Sequence, residues 1–192
     1  MKRWELIQYI INKRNYKSYL EIGVRRNETI GKIVCEHKDG VDPNGQGNYK
    51  MKSDQFFLKN KNVYDIIFID GLHIDEQVTR DIKNSLDCLS KGGIIVMHDC
   101  NPSTVLHQQV PRVQKAWNGT VWRAYVRLRC TNPKLDMCVV DMDHGCGVIQ
   151  RGKQELYKEA SLNRCLKWNY FKTNKKELLN LISVNDFMRK LR

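Results

Sequence analysis

The chain of 192 residues is 41% hydrophobic and 28% charged, with 12 Gly and 4 Pro. This length suits one domain, and the composition excludes collagen-like, low-complexity and wholly disordered chains. The longest apolar runs, at residues 66–69 and 94–97, are far shorter than the roughly 18–20 residues of a membrane-spanning helix. The N-terminus is basic but lacks the apolar core and cleavage site of an export signal. We therefore expect a cytoplasmic globular protein.

The net charge is +12, and the C-terminal part is the most basic. Residues 151–192 carry 11 Lys or Arg and 4 Asp or Glu. A positive field favours anionic partners such as a phosphorylated sugar, nucleic acid or a membrane surface. A solubilising surface is an equal alternative, because no basic run exceeds two residues.

The seven cysteines form no C-x-x-C pair, and their number is odd. This pattern indicates neither a zinc knuckle nor a closed disulfide framework, so we interpret them as reduced thiols. Cys100 lies beside candidate site residues, but a small buried side chain is its simpler interpretation.

Strand and helix patterns alternate in the first half of the chain. Apolar residues from Leu6 to Ile11 recur at helical spacing and predict a helix over 3–14. Further along, the pattern predicts strands at 19–23, 38–41, 49–52 and 64–69, and helices at 29–35 and 55–60. The 64–69 run is apolar at almost every position, which is typical of a strand covered on both faces.

The second half continues this alternation and then becomes helical. The predicted elements are helices at 76–89, 110–117 and 120–130, strands at 94–97, 137–141 and 147–150, and helices at 154–167, 175–182 and 184–191. Strands that alternate with helices imply right-handed βαβ units and a parallel sheet. The strands at 137–141 and 147–150 form an antiparallel hairpin at one edge, so we predict an α/β fold with about seven strands.

Polar residues follow the predicted strands, where open α/β sheets bind their ligands. They are Glu21, Gly23, Asp42, Ser53, Asp54, Asp70, His73, Asp99 and Asn101. Asp42 lies about 20 residues after the first turn, where a carboxylate can accept both hydroxyls of a ribose. The turn after the predicted strand at 19–23 has one Gly, whereas a pyrophosphate-binding turn has the pattern G-x-G-x-x-G. Asn27 can adopt the left-handed backbone conformation that a second Gly would otherwise supply.

Six segments resemble the class I S-adenosylmethionine-dependent methyltransferases, especially compact bacterial and phage members related to macrolide-sugar O-methyltransferases. They are residues 19–24, 40–43, 51–57, 64–73, 92–102 and 119–122. The most specific are Asp70-Gly71-Leu72-His73 and His98-Asp99-Cys100-Asn101-Pro102. The resemblance implies a Rossmann-like methyltransferase domain over residues 1–152. Residues 153–192 would then be a basic helical C-terminal extension that covers the site, dimerises or attracts a phosphorylated acceptor.

The resemblance also implies a role for each site residue. Glu21 and Gly23 would face the methionine part of S-adenosylmethionine, Asp42 its ribose, and Ser53 or Asp54 its adenine. Asp70 and His73 would line the methyl-transfer site. Asn27 stands where relatives usually have Gly.

Methyl transfer to oxygen requires the acceptor hydroxyl to lose its proton. We predict that His73, four residues beyond the 64–69 strand, is the general base. A surface histidine at the start of a helix is the alternative. Asp70, Asp99 and Asn101 form an all-oxygen set suited to Mg²⁺, similar to the ligand set of the catechol-type O-methyltransferases.

These features favour an enzyme that methylates a hydroxyl of a sugar or another small polar acceptor. Two alternatives stay open. A nucleic-acid methyltransferase would need basic residues and exposed aromatics around the cleft. A non-catalytic cofactor-binding or assembly module is the other, although the joint presence of Glu21, Asp42, Asp70 and His73 argues against it. Trp117 and Trp122 could form a wall of the acceptor site, and packing in the hydrophobic core is the alternative.

Overall fold

The computed structural model describes residues 1–191 and contains a seven-stranded sheet in the order β2-β1-β3-β4-β6-β5-β7. The strands are β1 Ser18–Ile22, β2 His37–Val41, β3 Tyr64–Ile69, β4 Leu89–Met97, β5 Leu135–Val140, β6 Cys146–Arg151 and β7 Leu181–Ile182. Strands β2, β1, β3 and β4 are parallel, whereas β6 is antiparallel to both β4 and β5. The predicted α/β fold with an antiparallel hairpin is confirmed.

Helices cover both faces of this sheet. They are α1 Arg3–Arg14, α2 Ser53–Lys59, α3 Asp75–Asp87, α4 Val121–Thr131, α5 Leu162–Cys165, α6 Trp168–Leu178 and α7 Val184–Lys190. Helices α1 and α7 contribute to one buried cluster, which contains Ile66 of β3, whereas α2, α3, α4 and α6 contribute to the other, which contains Ile67. Because alternate residues of β3 enter the two clusters, both faces of the strand are buried, which explains its apolar sequence.

The N-terminus of α1 is held at the carboxyl edge of the sheet. The backbone N–H of Arg3 donates to the carboxylate of Asp143 in the β5–β6 turn, at 2.9 Å. This contact satisfies one of the free N–H groups that every helix start exposes. Asn15, with φ 52°, ends the helix in the left-handed conformation. The guanidinium of Arg3 is thereby brought to the strand ends.

Two predicted helices and one predicted strand do not form. Residues 29–35 contain only a 3₁₀ turn at Ile30–Lys32, and residues 110–117 are irregular. Val110 and Val113 are about half exposed, so this segment has no buried apolar stripe to stabilise a helix. Residues 49–52 contribute a single bridge, between Tyr49 and Val41.

The seventh strand comes instead from the C-terminal extension. The prediction of a helix over 175–182 is wrong beyond Leu178, because β7 pairs there with β5. Of the helix predicted over 154–167, only the four residues of α5 are helical. Phe171 and Leu178 of α6 are fully buried in the cluster that contains Ile67 of β3. The extension therefore shares the core of residues 1–152, and a separate role for it stays a prediction.

The cysteines and the helices bear on two further expectations from the sequence. All seven cysteines are free, in agreement with the interpretation as thiols. Within residues 1–191, no helix combines the length and the apolar character needed to cross a membrane.

Candidate active site

A cavity of about 760 Å³ opens at the carboxyl ends of β1, β3 and β4. Seven of the residues predicted from the sequence line it: Glu21, Gly23, Asp42, Ser53, Asp70, His73 and Asp99. Asp54 and Asn101 are not among its described lining residues. The strand ends therefore converge on one site, as the parallel order of the sheet requires.

The turn after β1 brings the chain into close contact with the end of β3. Gly23 has φ +95°, and a Cβ atom there would lie 2.2 Å from the carbonyl oxygen of Asp70. Only glycine tolerates both the backbone conformation and this approach. Asn27 has φ 59°, so the prediction that it takes the left-handed conformation is confirmed.

Glu21 is buried at the bottom of this turn, with 2% of its surface exposed. The hydroxyl of Tyr19 donates a hydrogen bond to its carboxylate. Burial raises the pKa of Glu21 to about 8, although the hydrogen bond from Tyr19 partly opposes this. At neutral pH the cofactor-free protein therefore holds Glu21 mainly in its protonated form.

Asp42 directs its carboxylate into the loop that follows β2. Its two oxygens accept hydrogen bonds from the backbone N–H of Arg25, at 2.9 Å, and of Asn44, at 2.8 Å. Asp42 also lines the cavity. These bonds hold the carboxylate at the strand end, where each oxygen retains a further lone pair for a ligand.

Gln77 of α3 organises the neighbouring part of the wall. Its side-chain nitrogen lies 3.1 Å from Ser53 Oγ, 3.1 Å from Asp54 Oδ1 and 3.0 Å from Asp81 Oδ1. Asp54 is also 3.4 Å from Arg80, so its charge is directed towards α3. Gln77 was not predicted from the sequence, because a polar residue on a helix has no distinctive pattern.

His73 lies between two carboxylates. Its Nε2 is 3.3 Å from Asp70 Oδ1, and its Nδ1 is 3.3 Å from Asp99 Oδ2. The ligand atoms of these three residues all lie within 4.8 Å of one another, a spacing that could hold a metal ion. Burial lowers the pKa of His73, but the hydrogen bond to Asp70 and the nearby charges outweigh burial and raise it.

His98 contacts the carboxylates of both Asp70 and Asp99. Its Nδ1 is 3.4 Å from Asp70 and 3.1 Å from Asp99, and its Nε2 is 3.7 Å from Asp143. Burial disfavours the charged imidazole, but Asp70 and the hydrogen bonds to the carboxylates raise the pKa of His98 well above its ordinary value. The raised pKa favours the charged imidazolium, which attracts the three carboxylates.

Arg3 is a second cation beside the same cluster. Its guanidinium is 3.6 Å from Asp70, 3.6 Å from Asp143 and 3.8 Å from Glu28. Arg3 and Asp143 are 140 residues apart in sequence, so no local pattern could have predicted their contact.

Asp70 is held in its ionised form by the neighbouring histidines. Burial opposes ionisation of Asp70, yet His98 and His73 hold its pKa well below its usual range.

The side-chain amide of Asn101 has its hydrogen-bond partners outside the Asp70–His73–Asp99 group. Its Oδ1 accepts a hydrogen bond from Lys175 Nζ at 2.9 Å, and its Nδ2 donates to Asp141 at 3.2 Å. The structure thus brings Asp70 and Asp99 together and directs the amide of Asn101 towards other partners.

Residues 101–118, called here the 101–118 segment, are anchored on the His73 side of the cavity. The side chain of Asn118 donates to Asp99 Oδ1 at 2.9 Å. The backbone N–H of Thr120 donates to the carbonyl oxygen of His73, at 2.9 Å. Gly119 packs so closely that a Cβ atom there would lie 2.0 Å from the same oxygen. Gly119 and Thr120, which directly follow this segment, therefore position the backbone of His73.

The two candidate tryptophans occupy different environments. The ring of Trp117 stacks on the imidazole of His73, with centroids 5.2 Å apart and an interplanar angle of 16°. Trp122 is fully buried and stacks on Phe171, with centroids 4.1 Å apart. Trp117 therefore forms part of the cavity wall, whereas Trp122 belongs to the core.

Comparison with known proteins agrees with the fold. Residues 21–100 match the family described as a methyltransferase domain. No curated protein sequence matches the chain. Among solved structures, the Podospora anserina methyltransferase PaMTH1, bound to S-adenosylhomocysteine, has a TM-score of 0.59 and 16% identity, covering 79% of this chain and 78% of its own.

Two further structures are similar. The O-methyltransferase from Bacillus cereus, in complex with S-adenosylhomocysteine, has a TM-score of 0.56 and 12% identity, covering 79% of this chain and 80% of its own. MycE of the mycinamycin biosynthetic pathway, in complex with Mg, S-adenosylhomocysteine and mycinamycin VI, has a TM-score of 0.51 and 13% identity. That match covers 82% of this chain and 51% of MycE.

These matches show the fold and indicate the class of domain. The chain has the Rossmann-like fold of the solved methyltransferases, and its residues 21–100 are similar to a methyltransferase domain.

Proposed function

We propose that this chain transfers the methyl group of S-adenosylmethionine to a hydroxyl group of a sugar or another small polar acceptor. The observation that carries the proposal is the convergence of Asp70, His73 and Asp99 above the cavity of a methyltransferase fold. The O-methyltransferases of similar fold, including one from Bacillus cereus, support transfer to oxygen.

The cavity residues fit S-adenosylmethionine. Gly23 lets the β1 turn, which lines the cavity, pack against the backbone of Asp70, because a Cβ atom there would collide with it. Glu21 faces the methionine part, Asp42 holds the ribose, and Ser53 with Asp54 lies at the adenine end. When bound, S-adenosylmethionine supplies an electrophilic methyl group on a positively charged sulfur. The carboxylates at the strand ends favour that charge.

His73 is the proposed general base. The backbone contacts with Gly119 and Thr120 hold its main chain, and Trp117 packs against its ring. A bound cofactor's positive charge near Asp70 would favour the neutral imidazole of His73, because like charges disfavour the imidazolium. The neutral ring then accepts the proton of the acceptor hydroxyl. Asp70 orients the ring through the contact with Nε2.

A divalent cation such as Mg²⁺ fits beside these residues. Asp70 and Asp99 would hold it, because their carboxylate oxygens converge within the 4.8 Å group and such oxygens suit Mg²⁺. Asn101 was predicted as a third ligand and would have to release Lys175 to take part. When bound, the cation would lower the pKa of the acceptor hydroxyl.

The cofactor proposal is tested by calorimetry. We expect S-adenosylhomocysteine to bind the wild-type protein, and Asp42→Ala to weaken binding by about 1–3 kcal/mol, the usual cost of losing a hydrogen bond to a charged group. Asp87→Ala, an exposed carboxylate at the end of α3, is the matched control and should leave binding unchanged. Absence of binding to the wild type would contradict the proposal and favour a module without cofactor.

The metal proposal is tested by chelation during turnover. We expect a chelator to abolish methyl transfer and added Mg²⁺ or Mn²⁺ to restore it, because Asp70 and Asp99 hold the cation that activates the hydroxyl. Full activity in the chelator would remove the cation from the proposal and leave proton removal to His73.

The acceptor is tested with a panel of hydroxylated sugars and oligonucleotides and a radiolabelled methyl donor. We expect transfer to a sugar. Transfer to an oligonucleotide alone would support the nucleic-acid alternative, and transfer to neither would support the non-catalytic one. The predicted nucleic-acid partner and homodimer have no support from the described residues.

A further inference from the structure

The His73 side of the cavity carries basic residues that the proposed chemistry does not use. Arg112 and Lys115 line the cavity together with Trp117. The guanidinium of Arg112 lies 5.8 Å from the centre of the Trp117 ring, which itself stacks on His73. The charge of Arg112 thus lies beside the ring that stacks on His73, and Lys115 lines the same cavity.

These charges are not neutralised within their own segment. Residues 101–118 contain Arg112 and Lys115 but no Asp or Glu. Within residues 1–191, the Lys115 ammonium has no hydrogen-bond or ion-pair partner in the structure. Arg112 donates through Nε to the carbonyl of Gln114 and through Nη2 to that of Lys115. Arg112 therefore shapes the loop, and Lys115 presents a free charge.

The opposite charge dominates the neighbouring strand ends. Asp70, Asp99 and Asp143 surround His98 at the bottom of the site, and they repel an anion placed among them. Arg25 and Lys52 also line the cavity, but they adjoin Asp42 and Ser53 on the side assigned to the cofactor. An anionic group of the acceptor is therefore best accommodated at Arg112 and Lys115.

We propose that Lys115 and Arg112 form an anion subsite that binds a phosphate group of the acceptor, so that the substrate class is a phosphorylated sugar. This inference rests on the proposed function, because it assigns the His73 side of the cavity to the acceptor. The phosphate lies at the 101–118 segment and the reacting hydroxyl points towards His73. The negative charges at the strand ends and the positive charges of the 101–118 segment thus orient the acceptor in the cavity.

The test is a ³¹P NMR titration of the full chain, saturated with S-adenosylhomocysteine, using inorganic phosphate and glucose 6-phosphate as probes and glucose as the neutral comparison. We expect glucose 6-phosphate to bind more tightly than phosphate, and glucose, followed by its proton signals, to bind at least 10-fold more weakly. Lys115→Glu should weaken glucose 6-phosphate binding at least 10-fold, and Lys115→Gln should weaken it less. Lys91→Glu, which changes an exposed lysine in the first half of β4, should leave it unchanged.

Three results would overturn the subsite. One is equal weakening by Lys115→Glu and Lys91→Glu, which would show that binding reflects only the overall charge. Another is glucose binding as tightly as its phosphate. The third is binding to phosphatidylglycerol vesicles that depends on Lys115 while glucose 6-phosphate does not bind, which would assign the segment to a lipid headgroup. If S-adenosylhomocysteine does not bind, the proposed function fails, and the same titration on the cofactor-free protein still decides whether Lys115 binds phosphate.

Discussion

The strand ends and the 101–118 segment line the same cavity but are built differently. Glu21 and Asp99 at the strand ends are 2% and 5% exposed and are held by the order of the sheet. In the 101–118 segment, Val105, Leu106, Val110 and Val113 are each about half exposed and the backbone is irregular. The first region provides a fixed set of charges, whereas the second is supported mainly where it contacts His73 and Asp99.

This difference matches the two halves of the proposed reaction. The cofactor is common to a whole class of enzymes and can be bound by the sheet that the class shares, whereas acceptors vary and are bound by loops. Substitutions at the strand ends should therefore affect cofactor binding, catalysis and stability together. Substitutions in the exposed part of the 101–118 segment should affect acceptor binding alone.

The largest expected effect is that of His73→Ala, at the junction of the two regions. Loss of the base should lower the rate of methyl transfer roughly 10²–10⁴-fold, the range that general catalysis by one group supplies. Calorimetry should show unchanged binding of S-adenosylhomocysteine, because the proposal assigns His73 to the acceptor and not to the cofactor. His37→Ala, at the start of β2 with a side chain that is 74% exposed, is the control. A rate within threefold of wild type would rule out His73 as the base.

The second-largest expected effect is the change in the free energy of unfolding with pH that the Glu21 carboxyl group causes. Its pKa rises from 4.5 to about 8 on folding because of burial, so between these values the folded state holds a proton that the unfolded state has released. The stabilisation by the protonated group is complete below about pH 4.5 and is lost as the pH rises to about 8. Each unit of pKa shift corresponds to about 1.4 kcal/mol.

Urea unfolding of the cofactor-free protein at pH 5, 6, 7 and 8 measures this effect. The free energy of unfolding of the wild type should fall by a few kcal/mol relative to that of Glu21→Gln over this range. Glu36→Gln, whose side chain is 61% exposed, should follow the wild type. Parallel curves for the wild type and Glu21→Gln would show that the carboxyl group is already ionised at pH 5.

The smallest effect is expected in the 101–118 segment itself. Val113→Ala should change the free energy of unfolding by less than about 0.5 kcal/mol, because the side chain is 51% exposed. The same substitution at Val96 of β4, which is fully buried, should cost about 2–3 kcal/mol through lost burial and the cavity that remains. Comparable losses at both positions would show that the segment is packed as firmly as the sheet.

The residues predicted from the sequence are those whose position depends only on the strand pattern. Glu21 and Asp70 follow apolar runs, and the ends of parallel strands meet at one edge of the sheet, so their convergence could be inferred. Arg3 and Asp143 were missed because their contact joins a helix start and a turn 140 residues apart. Asn101 was assigned to a metal set because its oxygen follows the same strand as Asp99 and because of the resemblance to the catechol-type ligand set, but its amide binds Lys175, 74 residues away.

The sequence by itself determined the alternation of strands and helices, the α/β class and the carboxylates at the strand ends, because burial on both faces of a parallel sheet imposes a local apolar pattern. The tertiary structure alone decided that the last strand comes from Leu181–Ile182, that His98 holds Asp70 and Asp99 together, and that Trp117 rather than Trp122 faces the cavity. These features depend on contacts between segments distant in the chain, which the path of the loops establishes and hydrophobic periodicity does not record.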